Sequence, residues 1–147
     1  MKSARSFFNN EQQDAIRKAI LEAEQATSGE IRVHIENTCK RDVLERAVFV
    51  FNRLDMNKTE LRNGVLIYLA VKDRKFAIIG DSGIHAVVPE NYWDDIKSKM
   101  LISFQQDDFT GGLKLAILDV GQKLKTHFPH QSGDVNELPD DISFGKN

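Results

Sequence analysis

An α/β fold around a mixed sheet is what this sequence predicts, and three observations predict it. Glu30 to Glu36 alternates strictly, with Ile31, Val33 and Ile35 on one side and Arg32 and His34 on the other, the period of a strand with one buried face. Gly64 to Val71 is uncharged and rich in Val, Leu, Ile and Tyr, the composition of a strand buried on both faces. Between them, Asp42 to Leu54 carries apolar residues at helical spacing. A helix joining two strands implies that they run parallel through a right-handed crossover. The charged turn from Lys72 to Lys75 then returns the chain through Phe76, Ile78 and Ile79, so the third strand closes a hairpin and runs antiparallel.

The chain has 147 residues, enough for one core. Residues 1–130 are read as one domain, and 131–147 as an extended acidic tail whose ELPDDISF stretch has apolar residues with which to dock. Charged residues make up 29% of the chain and the net charge is −2, so the basic stripe expected of a nucleic-acid binder is missing. A single cysteine, Cys39, cannot form an internal disulfide, and a cytoplasmic location is expected. No run approaches the roughly 20 apolar residues of a spanning helix or has the pattern of a signal peptide. The expectation is therefore a chain neither exported nor inserted.

The remaining elements follow from caps and periodicity. Asn10 is expected to cap a first helix carrying Ile16, Ala19, Ile20 and Ala23, with Gln13 completing a capping box and Phe7 and Phe8 stapling the start; Gly29 ends it. Asp42 caps the crossover helix, whose apolar set is Leu44, Ala47, Val48, Phe51 and Leu54. After the loop Gly80-Asp81-Ser82-Gly83 comes a short apolar piece, Ile84 to Val88. Pro89 is placed to open a helix carrying Trp93, Ile96, Met100, Leu101 and Phe104. A second acidic turn, Gln105 to Gly112, leads to a last helix built on Leu113, Ala116, Ile117, Val120 and Leu124, which Pro129 ends.

This topology brings the start of the first strand, the start of the second and the end of the third to one edge of the sheet, and that edge gathers Glu30, Asn63 and Asp81. Carboxylates and an amide oxygen without cysteine or histidine partners are hard ligands, suited to calcium, magnesium or manganese. The free N–H groups at the start of the Pro89 helix would favour an anion there, and Asp107 and Asp108 are candidates to fold over the same edge. The plainer alternative is that these acids and Asn63 fix turns through their own backbone. Arg32 is a candidate phosphate ligand or the partner of a neighbouring acid. Phosphate-cradling, nucleophile-elbow and calcium-hand motifs are missing, and Cys39 reads as a buried, idle thiol.

The runs SGEIRVHIE at 28–36, RNGVLIYLAVKDRKFAIIGDSGI at 62–84 and DDFTGGL at 107–113 resemble the TPM domain, over roughly residues 5 to 130. The resemblance implies a three-layer α/β/α sandwich around a mixed sheet. It also implies divalent-metal binding, calcium especially, with Glu30, Asp81 and Asp108 on the family's acidic positions and Asn63-Gly64 at its strand-opening turn. Asp107 stands where many relatives have glycine. Acid phosphatase activity, which some relatives have, transfers less well because no nucleophile with a base in reach is evident. The sequence therefore supports a small domain that binds a divalent cation, calcium first, as a binding or regulatory module. The alternatives are a metal-dependent phosphomonoesterase with Arg32 on the phosphate, and an adaptor whose acidic tail meets a protein partner.

Overall fold

A computed structural model describes residues 4–130 and 142–146. In chain order the elements are α1 (Ala4–Phe7), α2 (Asn10–Ala26), β1 (Glu30–Glu36), α3 (Val43–Arg53), a single 3₁₀ turn (Met56–Lys58), β2 (Gly64–Ala70), β3 (Lys75–Gly80), α4 (Ser82–His85), α5 (Asp94–Gln105), α6 (Phe109–Lys125) and β4 (Ser143–Phe144). The sheet order is β3-β2-β1-β4. β1 and β2 are parallel, with Glu30 opposite Gly64 and Glu36 opposite Ala70. β3 is antiparallel to β2, with Val65 opposite Gly80. Both the parallel pairing of β1 with β2 and the hairpin are as the sequence predicts.

Helices cover both faces, so the sheet is the middle of three layers. On one face Ile31, Val33, Ile35, Val65, Ile67, Leu69 and Ile78 pack with the apolar sides of α2, α5 and α6 in one buried cluster. On the other, Leu66, Tyr68, Ala70 and Ala77 pack with Ala47, Val50 and Phe51 of α3 and with Met56. α2 and α6 cross closely at Gly121, where an added Cβ would stand 2.9 Å from the Cβ and carbonyl oxygen of Ala23.

Several boundaries differ from expectation for identifiable reasons. The cap of α2 is Asn9, whose Oδ1 accepts from the Gln12 amide at 2.7 Å while Gln12 Oε1 accepts from the Asn9 amide at 2.9 Å. Gln13 is thereby freed to face inward, donating Nε2 to the carbonyls of Arg5 and Phe8 at 2.9 and 3.0 Å. Asp42 caps α3 as expected, through the Glu45 amide at 3.1 Å. Leu44 and Val48, however, are 53% and 47% exposed, because the core-facing stripe of α3 runs through Ala47, Val50 and Phe51. Pro89 lies in a turn, and α5 opens only at Asp94 with Asp94 and Asp95 in its first turn. Two carboxylates there oppose an anion.

β1 also departs from the one-sided strand expected, since all seven of its residues are buried. Among the described residues beyond α6, 142–144 alternate as a strand does. Ile142 is buried and Phe144 partly buried on the α2/α6 side, and Ser143 pairs with His34 on the other. Residues 131–141, most of the sequence assigned to the acidic tail, lie outside the described residues. Burying Ile142 is worth about 1.5–3 kcal/mol, and a few hydrogen bonds add about 0.5–1.5 kcal/mol each.

Replacing Gly121 by valine should overpack the α2/α6 crossing and lower the unfolding free energy by about 1–3 kcal/mol, read from the midpoint of a urea titration with the slope unchanged.

Candidate functional site

Two constellations stand out, at opposite ends of the parallel strands β1 and β2. At the end where these strands begin, Glu30, Asn63 and Asp81 come together as the topology requires. The Glu30 amide donates to the Asn63 carbonyl at 3.3 Å, and the Asp81 amide to the Gly64 carbonyl at 2.9 Å. All three residues are buried. Asp81 caps α4, accepting from the Ser82 amide at 2.7 Å, and its carboxylate is gripped by Arg62, Nε to Oδ2 at 2.8 Å and Nη2 to Oδ1 at 2.9 Å. This two-point fit matches a guanidinium to a carboxylate, and the Asp81 hydrogen bonds raise the Arg62 pKa. Arg62 reaches this position from a left-handed backbone, φ 51°. The Gly83 amide fastens its carbonyl at 2.8 Å, an approach so close that a Cβ at residue 83 would lie 2.2 Å from the Leu61 oxygen. Asn63 Nδ2 is buried without a hydrogen-bond partner.

Asp107 and Asp108 do not join this edge. Asp107 Oδ1 accepts from Arg74 Nη2 at 2.6 Å, and Arg74 belongs to the β2–β3 turn at the far end of the hairpin. Asp108 is the cap of α6, accepting from the Gly111 amide at 2.9 Å. Among the described residues no three His, Cys, Asp or Glu side chains are grouped to hold a metal. The five candidate ligands thus form two groups, and only Glu30, Asn63 and Asp81 share a place.

The second constellation is one that the sequence did not disclose. The side of β1 facing α3 carries Glu30, Arg32, His34 and Glu36, all buried. Glu36 is at the centre of a polar cluster at the end where β1 and β2 finish. Its Oε1 accepts from Arg46 Nη2 at 2.7 Å and contacts His34 Nε2 at 2.9 Å. Its Oε2 accepts from Arg46 Nε at 2.9 Å and from the Tyr68 hydroxyl. Burial pushes the Glu36 pKa up, but the hydrogen bonds from Arg46, His34 and Tyr68 outweigh it and hold the carboxyl well below the usual range. The same burial and the bond to Glu36 push the Tyr68 hydroxyl up.

An ionised carboxylate only accepts, so His34 Nε2 must carry a proton. The other ring nitrogen, Nδ1, lies 2.8 Å from Ser143 Oγ, a hydroxyl able both to donate and to accept. The His34 and Tyr68 rings stack at 6.0 Å. Cys39 is buried, as expected, its thiol donating to the Arg41 carbonyl at 3.3 Å. Alternation in β1 places His34 and Glu36 on one face, but nothing in the sequence links them to Ser143, 109 positions away.

The order of strands, the crossover and the acidic glycine loop after β3 agree with a match to the family model of the TPM domain over residues 2–123. The chain belongs to the TPM-domain family. It is similar to the BA42 protein of the psychrophilic bacterium Bizionia argentinensis, with 46% identity, TM-score 0.89 and coverage of 95% of this chain and 96% of that one. The N-terminal domain of a P. gingivalis protein shares the fold at 18% identity and TM-score 0.68, over 84% of this chain and 82% of its own. That of cg2496 from Corynebacterium glutamicum does so at 14% identity and TM-score 0.62, over 95% and 81%. No curated protein matches. No helix among the described residues is long and apolar enough to cross a membrane.

Because the folded pKa of Glu36 is depressed, its contribution to stability is complete above the ordinary value of about 4.3 and is lost as pH falls through that value towards the folded one. Glu36→Gln is expected to remove about 2–4 kcal/mol at neutral pH, the range for breaking a buried pair lowered because Arg46 keeps some contact with water. The variant should also show a flatter loss of stability in acid, measured by urea unfolding at a series of pH values.

Proposed function

We propose that this TPM domain binds a hard divalent cation, calcium first and magnesium or manganese as alternatives, at the edge formed by Glu30, Asn63 and Asp81, as a binding or regulatory module. The observation that carries the reading is Asn63. A buried side-chain amide whose nitrogen has no acceptor leaves a polar position unused, and since the two ends are nearly indistinguishable in shape the amide can present its oxygen there as a ligand instead. Two carboxylates flank it on adjoining backbone, and loop carbonyls and water can complete six to eight oxygens around calcium. The low charge count places the affinity at the weak end of the calcium range, about 10⁻⁴–10⁻³ M.

Arg62 fits the same reading. Its guanidinium occupies the Asp81 carboxylate as an internal cation, and about half of the side chain is exposed, so it can swing away when a metal arrives. Asp107 and Asp108 are not part of the proposed site, since one is paired with Arg74 and the other caps a helix. Phosphomonoester hydrolysis is less well supported. Arg32, the candidate for the phosphate, is buried, and Ser143 Oγ is already engaged with His34 Nδ1 at 2.8 Å.

Calcium titration followed by amide chemical shifts should move residues 62–64 and 80–83 while leaving 107–111 still. Asp81→Asn should weaken binding at least tenfold, whereas Arg62→Gln, which removes the competing cation, should tighten it severalfold. Unmoved shifts around Asp81 at millimolar calcium, or weaker binding in Arg62→Gln, would count against the site.

A further inference from the structure

Arg62 is the residue whose place on Asp81 a cation would take, and its surroundings decide where its charge goes next. The backbone cannot follow the side chain. Its left-handed φ of 51° is held on both sides, by the Arg62 amide donating to the Thr59 carbonyl at 3.2 Å and by the Gly83 amide donating to the Arg62 carbonyl at 2.8 Å. The two segments are so close that a Cβ at residue 83 would stand 2.6 Å from the Arg62 oxygen. Loss of Asp81 therefore moves only the side chain, and the guanidinium stays tethered beside the edge that holds Glu30, Asn63 and Asp81.

A guanidinium cannot shed its proton in a protein, so the charge has to find another anion or water. Among the described residues Asp81 is the acid paired with Arg62, and nearby Asp55 is taken by Lys58 at 3.2 Å. Even while it grips Asp81 the Arg62 side chain is 48% exposed, against 6% for Asp81. The fork that holds the two Asp81 oxygens at 2.8 and 2.9 Å thus faces outward, and once released it fits a second carboxylate of the same shape.

On the basis of the cation site at Glu30, Asn63 and Asp81, we propose that Arg62 is a cation-gated receptor for a carboxylate from outside the chain, closed on Asp81 without metal and open when Asp81 serves as a ligand. The carboxylate belongs to a small acid or to an acidic side chain. Asp81 and the external carboxylate compete for one guanidinium, while the cation and Arg62 compete for one Asp81. Each external ligand therefore relieves the competition that the other faces, and the factor by which the carboxylate tightens the cation equals the factor by which the cation tightens the carboxylate. Through Arg62 the domain responds to the two together.

The test measures calcium affinity of the full chain by amide shifts in sodium acetate and in sodium chloride of equal ionic strength, with free calcium read by an electrode. Acetate should tighten calcium about two- to fivefold, the range of an exposed ion pair, and the Arg62 Nε–H resonance should respond to acetate only when calcium is present. Arg62→Gln should bind calcium equally in both salts. Asp81→Asn, which keeps a side-chain oxygen to cap α4, should let the Arg62 resonance respond to acetate without calcium. A blocked peptide with a single glutamate separates the two sources: a gain equal to that of acetate shows that the carboxylate suffices, and a larger one points to an acidic side chain. Equal calcium affinity in both salts, with Arg62→Gln still tightening calcium, would overturn the gating and leave the cation site standing. An acetate effect that survives in Arg62→Gln would overturn it as well, since acetate would then be ligating the metal directly. Calcium binding in neither salt would overturn the cation site and the gating with it.

Discussion

The paired charge of Glu36 and Arg46 is the constraint on which the second face of this sheet depends. β1 has to be buried on both sides, yet one of its sides is polar, and a buried carboxylate without partners would cost several kcal/mol. Four donors converge on Glu36 from three elements: Arg46 in α3, His34 in β1 itself and Tyr68 in β2. The network therefore ties the crossover helix to both parallel strands at the end where they finish. It also allows a helix with only three buried residues, Ala47, Val50 and Phe51, to hold its layer. The apolar face needs no such device, because α2, α5 and α6 supply a continuous core there.

That division explains why the register of β1 is firmly set. Sliding the strand by one residue would turn Glu30, Arg32, His34 and Glu36 into the apolar core and Ile31, Val33 and Ile35 towards Arg46. The β1–β2 register in turn decides where the ends lie, so that Glu30, Asn63 and Asp81 are neighbours and Asp81 can both cap α4 and receive Arg62. The candidate cation edge is thus a by-product of the same alternation that builds the core.

Much of this was legible from sequence because it rests on local patterns. Period-two alternation from Glu30, the uncharged run from Gly64 and the charged turn at 72–75 determine three strands and their directions, and the directions bring Glu30, Asn63 and Asp81 together. What was not legible depends on long-range choices. Asn9 and Asn10 are equally good caps by type, and the inward bonds of Gln13 to Arg5 and Phe8 decide between them. Leu44 and Val48 satisfy helical spacing but face water, since the width of the second core is set by how far α3 covers β2 and β3. The destination of Asp107 depends on Arg74, which sequence separates from it by 33 positions. His34 and Arg32 read as solvent-facing because alternation alone does not reveal that both faces of β1 are buried.

One consequence of the two-sided burial of β1 has to do with stiffness. Glu30 and His34 are separated by four residues of strand, about 13 Å at roughly 3.3 Å per residue, and the stretch between them can neither slide nor roll without exchanging polar for apolar contacts. A strand locked in this way moves only as one body, so the acidic edge and the serine–histidine edge keep a fixed spacing and share whatever displacement either undergoes.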